Sequence, residues 1–130
     1  LAVGHAGWRG TLAGIALSLV AALQVNFGSR PQTLQAALGP AIGACCYEVG
    51  DDVAARATWP GSERWFHPNG RRKHFDLTAA NTDLLLRAGI PATNIERANL
   101  CTGCRTDEFF SYRREKPVTG RFALLAALAE

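Results

Sequence analysis

The chain opens with Leu1-Ala-Val-Gly4-His5-Ala-Gly7-Trp8-Arg9-Gly10. A short apolar run is followed by a histidine, a tryptophan and an arginine, and the glycines between them free the backbone for a sharp turn. The pattern predicts a buried strand that ends at Gly4 and a turn that carries His5. Because α/β proteins gather ligands where a strand passes into a helix, His5 is a candidate functional residue. The alternative is a histidine that only satisfies a backbone carbonyl.

The residues after this stretch predict a helix and a second strand. Apolar residues recur at helical spacing from Thr11, which is expected to cap the helix, to Gly28, which is expected to end it. A second apolar run, from Leu34 to Ile42, predicts a strand that leads into a glycine-bounded loop. Strand, helix and strand in this order predict a right-handed βαβ unit.

Further elements are predicted downstream. They are a short helix over Asp51–Trp59, a polar loop that contains His67 and His74, a helix over Leu77–Ala88 capped by Asp76, a strand over Ile95–Leu100, a half-buried strand over Phe109–Arg114, and a helix or strand over Arg121–Ala129. His67 and His74 lie beside a run of basic residues, so we interpret both as solvated surface residues.

Composition limits the classes of protein. With 130 residues, 48% of them hydrophobic and 19% charged, the chain suits one domain or part of one. The longest apolar stretch, Leu12 to Val25, is shorter than the roughly 20 residues that span a bilayer, so no membrane association is expected. The chain contains no methionine and its first apolar run has nothing before it, so we expect a fragment.

The charge pattern favours a small anionic ligand. The formal net charge is only +3, and the basic residues gather at Arg71-Arg72-Lys73 and Arg113-Arg114. Nucleic-acid binding would need a basic stripe with interleaved aromatic residues, so no nucleic-acid partner is expected. The guanidinium fork suits phosphate or carboxylate, and Arg9 and Arg113 are the candidate ligands for such an anion.

The four cysteines stand as an adjacent pair, Cys45-Cys46, and as Cys101-Thr-Gly-Cys104. The second group has the spacing of half a zinc site or of a redox pair. Neighbouring side chains on a strand-like backbone point apart, so Cys45 and Cys46 are not expected to supply two ligands together. We expect reduced, small buried thiols in a cytoplasmic protein, with Cys45, Cys46 and Cys101 close to a pocket.

Several segments together resemble one known family. They are His5-Ala-Gly-Trp-Arg-Gly10, Gly39-Pro-Ala-Ile-Gly43, Cys45-Cys-Tyr-Glu-Val-Gly50, Asp76-Leu77, Cys101-Thr102, Phe109-Phe-Ser-Tyr-Arg-Arg114 and Thr119-Gly-Arg121. In this order they are similar to the polyphenol oxidase, or laccase-domain, family, whose members are also called multicopper polyphenol oxidases and are now described as purine nucleoside phosphorylases. The resemblance runs from one end of the chain to the other.

The resemblance implies a fold and a metal site. The implied fold is a single α/β domain, a four-layer α/β/β/α sandwich with mixed sheets, of which residues 1–130 would be the C-terminal portion. The implied metal is one zinc ion held by two histidines and a cysteine, with His5 as the last of the three. The other histidine and the cysteine would precede Leu1, so the N-terminal portion of the domain would be missing from this chain.

The resemblance also implies an activity. It is phosphorolysis of adenosine, inosine, guanosine and methylthioadenosine, together with deamination of adenosine, so purine nucleosides and phosphate are the expected partners. Arg9, helped by backbone N–H groups at Gly10 and Thr11, is the first candidate for binding phosphate, and Arg113 is the second. Two alternatives stay open: copper-dependent oxidation of phenols, and an inactive truncated copy that serves as a binding module.

Overall fold

A computed structural model describes residues 1–128. The helices are α1 (Trp8–Leu12), α2 (Ile15–Phe27), α3 (Asp51–Ala55), α4 (Leu77–Arg87) and α5 (Tyr112–Glu115). The strands are β1 (Ala36–Leu38), β2 (Glu48–Val49), β3 (Phe66–Asn69), β4 (Arg72–Phe75) and β5 (Ile95–Arg97). Single 3-10 turns lie at Pro31–Thr33, Ser62–Trp65 and Ala92–Asn94.

The strands form a parallel pair and an antiparallel sheet. In the pair, β1 lies alongside β5, with Ala36 opposite Ile95. In the three-stranded sheet β4 is central, between β2 and β3. The class is therefore α/β with mixed sheets, as expected from the sequence.

The βαβ unit predicted at the start of the chain is absent from the described residues. Leu1–Gly4 forms no strand and is exposed, and it pairs with neither of the two described sheets. The segment lies over α2 instead, where a Cβ on Gly4 would come 2.8 Å from Leu19 Cδ1. The parallel pair comes from β1 and β5, whose connection contains α3, the three-stranded sheet and α4.

The first predicted helix is two helices. Gly14 adopts a left-handed conformation, with φ +80°, and separates α1 from α2. Thr11 is not a cap: it is fully buried within α1, and its hydroxyl donates to the carbonyl oxygen of Ala6. The predicted end is confirmed, because Gly28 closes α2 with φ +64°.

Several other predictions can be compared with the structure. Asp76 caps α4 as predicted, with its carboxylate accepting from the N–H of Ala79 at 2.8 Å. The predicted polar loop contains the β3–β4 hairpin, which turns at Gly70 with φ +61°. The helix from Asp51 ends at Ala55, and the strand from Ile95 ends at Arg97.

The end of the chain also differs from expectation. The stretch over Phe109–Arg114 is not a strand, because it leads through Ser111 into the one-turn helix α5. Residues 121–128 belong to no helix or strand, and Ala129 lies outside the described residues.

One hydrophobic core joins the helices to the antiparallel sheet. Its largest fully buried side chains are Trp65, Phe75 and Leu84, and the ring of Phe75 stacks on that of Phe66 with centroids 4.6 Å apart. Val20 of α2 and Ala80 of α4 are buried in the same core. Within the described residues, no helix is both long and apolar enough to cross a membrane.

Candidate functional site

The opening turn is exposed and glycine-dependent. His5 is exposed, and its Nε2 lies only 2.9 Å from the position that a Cβ on Gly7 would occupy. A side chain at Gly7 would therefore displace the imidazole. The turn is attached to the core by a hydrogen bond, because the buried hydroxyl of Thr11 donates to the carbonyl oxygen of Ala6, next to His5.

Arg9 follows this turn and is exposed. Its guanidinium carbon lies 4.6 Å from the centre of the Trp8 ring, in a cation–π contact. Arg56 approaches the same ring at 5.8 Å. The indole of Trp8 therefore lies in a strongly positive environment beside the His5 turn.

The half-buried Trp8 side chain lines a cleft of about 330 Å³. This volume lies within the range of small-molecule sites, which is roughly 300–1,000 Å³. The cleft is lined by Trp8, Tyr47, Glu48, Val49, Gly50, Asp51, Val53, Arg71, Arg72, Lys73 and Arg113. Aromatic and apolar walls are thus combined with four basic side chains.

Two of the four basic side chains of this cleft are paired with acids. Arg72 Nη1 lies 2.6 Å from a carboxylate oxygen of Glu48, and Lys73 Nζ lies 3.0 Å from one of Asp51. The hydrogen bond from Arg72 holds the pKa of Glu48 below its ordinary value of 4.5. These exposed ion pairs connect β4 with β2 and with the start of α3 beside the cleft.

Arg113 is held in a different way. Its Nη1 donates to the neutral carbonyl oxygen of Glu48 at 3.0 Å, and its guanidinium lies 5.1 Å from the centre of the Tyr47 ring. Desolvation by burial raises the pKa of Tyr47, so its phenol stays neutral beside this cation. Arg113 is thereby positioned over the cleft, with other N–H donors left for a ligand.

Arg113 also borders a second cleft, of about 300 Å³. This second cleft is lined by Cys45, Cys46, Glu48, His74, Arg113 and Arg114. Cys101, which was predicted to lie close to a pocket with Cys45 and Cys46, is not among these lining residues, but its sulfur accepts from the N–H of Gly43 at 3.2 Å.

The four cysteines form one cluster. All four sulfur atoms lie within 4.8 Å of one another, and Cys104 Sγ is 3.5 Å from Cys45 Sγ and 3.4 Å from Cys46 Sγ. The expectation of buried thiols is wrong, because Cys45 and Cys104 are exposed and Cys46 and Cys101 are half-buried. The expectation that Cys45 and Cys46 point apart is also wrong, because they lie in a turn over residues 44–46 and not in a strand.

The thiols of this cluster differ in acidity. Desolvation, together with hydrogen bonds among the neighbouring thiols, raises the pKa of Cys45 to about 12. Desolvation also raises the pKa of Cys101. The hydrogen bond from the N–H of Gly43 and further hydrogen bonds outweigh this effect and lower the pKa of Cys101 to about 7. Cys101 is therefore more acidic than Cys45.

Sequence reasoning did not predict the position of His74. It was interpreted as a solvated surface residue, but it is half-buried and lines the second cleft. Its Nδ1 contacts the carbonyl oxygen of Ala44, and its Nε2 lies 3.2 Å from Asn69 Nδ2. Because a carbonyl only accepts, Nδ1 carries the proton and Nε2 accepts from Asn69. Pairing of β2 with β4 brings His74 beside the cysteine turn, which spacing along the chain did not indicate.

The exposed His67 fits the surface interpretation.

The described residues do not by themselves make up a site of two histidines and a cysteine. Within residues 1–128, the metal-binding group of three or more His, Cys, Asp or Glu side chains is the four-cysteine cluster, and His5 does not belong to it. His5 is thus in no group of three or more such side chains within these residues.

Comparison with known proteins gives consistent results. The sequence model of the family described as multi-copper polyphenol oxidoreductase laccase matches residues 1–129. Purine nucleoside phosphorylase YlmD of Geobacillus stearothermophilus is 41% identical over 121 residues, which are 90% of this chain and 44% of that protein. Adenosine deaminase RL5, from an unknown prokaryotic organism, is 39% identical over 125 residues, which are 93% of this chain and 47% of that protein.

A solved structure is similar as well. The hypothetical protein YfiH of Bacillus licheniformis superposes with a TM-score of 0.80 at 40% identity, over 85% of this chain and 43% of that one. The chain thus spans less than half the length of these relatives. Because the family match covers nearly all of its residues, the chain belongs to the multi-copper polyphenol oxidoreductase laccase family.

Proposed function

We propose that the protein containing this chain is a zinc-dependent purine nucleoside phosphorylase that also deaminates adenosine. Its proposed substrates are adenosine, inosine, guanosine and methylthioadenosine. The relatives named purine nucleoside phosphorylase and adenosine deaminase support an enzyme of this kind. The observation that carries the proposal is the basic, aromatic-walled cleft beside the His5 turn, because it offers surfaces for both a purine nucleoside and phosphate.

Phosphorolysis sets clear demands on such a cleft. A phosphate oxygen forms a bond to C1′ of the ribose while the bond from C1′ to the purine nitrogen breaks, and the purine leaves with the electron pair and takes up a proton. The site must therefore hold an anion against the ribose and orient it for attack. Fixed positive groups meet this demand with little reorganisation.

Arg113 and Arg9 are the proposed phosphate ligands. Arg113 is already oriented by Glu48 and Tyr47, and its anchoring hydrogen bond goes to a neutral oxygen atom. Arg9 stacks on Trp8, which lines the same cleft. A phosphate in the cleft would meet both the guanidinium fork of Arg113 and the positive surroundings of Trp8.

The aromatic side chain of Trp8 is the proposed surface for the purine. Purine bases stack on aromatic side chains, with an energy of about 1–3 kcal/mol per base in comparable sites. Trp8 is half-buried, whereas Tyr47 is buried and its ring already packs on Phe75 and on the guanidinium of Arg113. The base would lie on the apolar side of the cleft while the phosphate faces the basic side.

His5 is proposed as one ligand of the zinc ion. Its exposure and its place at the glycine turn leave the imidazole free to join ligands that are not among the described residues. In the protein that contains this chain, His5→Ala should remove one zinc ion per chain together with nucleoside turnover. Full activity of a metal-free His5→Ala protein would contradict zinc dependence.

The phosphate assignment is tested by steady-state kinetics at varied phosphate concentration. Arg113→Gln should raise the KM for phosphate by about tenfold or more, equivalent to about 1.4 kcal/mol of binding energy, and should affect adenosine deamination less. Arg9→Gln should act in the same direction. The exposed Arg30 provides a matched control, and Arg30→Gln should leave both reactions unchanged. Equal losses of phosphorolysis and deamination in the Arg113 variant would contradict a role in phosphate binding.

The family description carries a second candidate, copper-dependent oxidation of phenols. The same protein, loaded with copper and supplied with a phenol and oxygen, should be inactive under conditions where it cleaves nucleosides. Oxidation of the phenol without nucleoside cleavage would favour the oxidase. Inactivity in all three assays would favour a binding module.

A further inference from the structure

We propose that Cys45, Cys46, Cys101 and Cys104 form a structural zinc site with four thiolate ligands, separate from any metal held by His5. Two loops supply two sulfurs each, and Cys45 and Cys104 are 59 positions apart in the chain. Such convergence requires both loops to fold against each other. A zinc ion at this point would tie them together.

The sulfur separations suit a tetrahedral zinc ion. Four sulfur ligands at about 2.3 Å from zinc lie about 3.8 Å from one another in a regular tetrahedron. In this structure the Cys104 sulfur lies 3.5 and 3.4 Å from two of the others, and all pairs are within 4.8 Å. Shifts of less than about 1 Å would therefore give regular coordination.

The backbone of both loops is arranged to bring the sulfurs together. A Cβ on the buried Gly103 would lie 2.9 Å from Cys46 Cβ, so only glycine allows this approach. The N–H groups of Cys104 and Arg105 both donate to the carbonyl of Cys101, which closes a tight turn between the two cysteines. The N–H of Thr102 donates to the carbonyl of Ala41 at 3.0 Å and joins this turn to the other loop.

The arrangement favours a shared ion over a dedicated disulfide. Cys104 is almost equidistant from Cys45 and Cys46, so neither is singled out as its partner. Thiolates select soft ions such as zinc, and a set of four sulfurs typically binds zinc as a closed structural site.

Nearby positive side chains would offset the negative charge of the zinc site. Four thiolates and one Zn²⁺ carry a net charge of −2, and Arg113 and Arg114 line the cleft next to Cys45 and Cys46. Arg114 Nε also donates to the carbonyl of Gly103 at 2.9 Å. The proposed zinc site would thus hold the loop that contains Gly103, to which Arg114 of α5 is hydrogen-bonded.

The site is tested by metal binding to the purified chain after reduction of its thiols. Zinc alone should bind with one equivalent to the cysteine cluster, and Co²⁺ in its place should give the sulfur-to-cobalt charge-transfer band and the intense visible bands of a tetrahedral tetrathiolate. Cys104→Ser should weaken zinc binding by at least about 100-fold, the upper range for loss of a supporting residue. His67→Ala removes an exposed histidine outside the cluster; it is the matched control and should leave the cobalt spectrum unchanged.

A second measurement uses the unaltered chain, so it does not depend on the folding of a variant. Bound zinc should protect all four cysteines from alkylation, as read by intact mass, and a chelator should expose them. The proposal is overturned if the reduced chain gives no thiolate-to-cobalt band, if Cys104→Ser binds zinc as tightly as the parent, or if zinc leaves the four thiols reactive. A chain that forms disulfides in air and binds no zinc when reduced would identify a redox pair instead.

Discussion

Asn81 and Thr11 are 70 positions apart in the chain and share a buried hydrogen bond of 2.9 Å from Asn81 Nδ2 to Thr11 Oγ1. The same amide donates to the carbonyl oxygen of Leu77 at 2.8 Å, and the hydroxyl of Thr11 donates to that of Ala6. Helix α4 is thereby connected through α1 to the turn that carries His5. The position of this turn is set by a polar network inside the core.

Thr11→Val should therefore destabilise the chain. The substitution keeps the shape of the side chain but leaves the Ala6 carbonyl and one N–H of Asn81 without their partner, which costs about 1–3 kcal/mol. Urea denaturation followed by circular dichroism measures the loss. Thr33→Val is the matched control, because Thr33 is exposed, and it should change the free energy of unfolding by less than about 0.5 kcal/mol. Equal stability of the two variants would contradict a role for the buried network.

Gly14→Ala should be destabilising for two reasons. The left-handed backbone costs about 1–2 kcal/mol with a side chain present. In addition, the new Cβ would lie 2.9 Å from Trp59 Cζ2, and Trp59 is fixed because its Nε1 donates to the carbonyl of Leu12 at 2.8 Å. Such overpacking costs about 1–3 kcal/mol more.

Gly70→Ala separates the cost of the left-handed backbone from the cost of the clash with Trp59. Gly70 also has positive φ, at +61°, but a Cβ there would meet nothing within 4 Å. Denaturation of both variants should show a larger loss for Gly14→Ala, and the difference measures the clash with Trp59. A loss at Gly70 as large as that at Gly14 would show that backbone strain alone accounts for the effect.

Acid should weaken the contact between Glu48 and Arg72. The pKa of Glu48 lies below 4.5 in the folded chain because Arg72 donates to its carboxylate. Its contribution to stability is thus complete above the ordinary pKa and is lost as the pH falls through the folded pKa. Denaturation midpoints measured from neutral pH into acid should fall more steeply for the parent chain than for Glu48→Gln or Arg72→Gln. Parallel curves for the parent and both variants would rule out the contribution of this pair.

Local patterns in the sequence predicted where individual helices begin and end. Asp76 caps α4 and Gly28 ends α2 as predicted, because a cap depends on residues only a few positions away. The class of fold and the family followed from the order of motifs along the chain. The break between α1 and α2 was not predicted, because the apolar spacing of the helical pattern continues across Ala13 and Gly14.

Tertiary structure alone decided which distant side chains meet. Cys101-x-x-Cys104 has the spacing of half a zinc site, but the sequence argued against Cys45 and Cys46 as the other half. The turn at residues 44–46 and the close approach of Gly103 depend on contacts between loops, which spacing does not show. His74 came to the second cleft through pairing of β2 with β4. The sequence by itself determined the family and the residues available for chemistry. The fold determined their grouping, since separations of a few ångströms arise from packing between segments far apart in the chain.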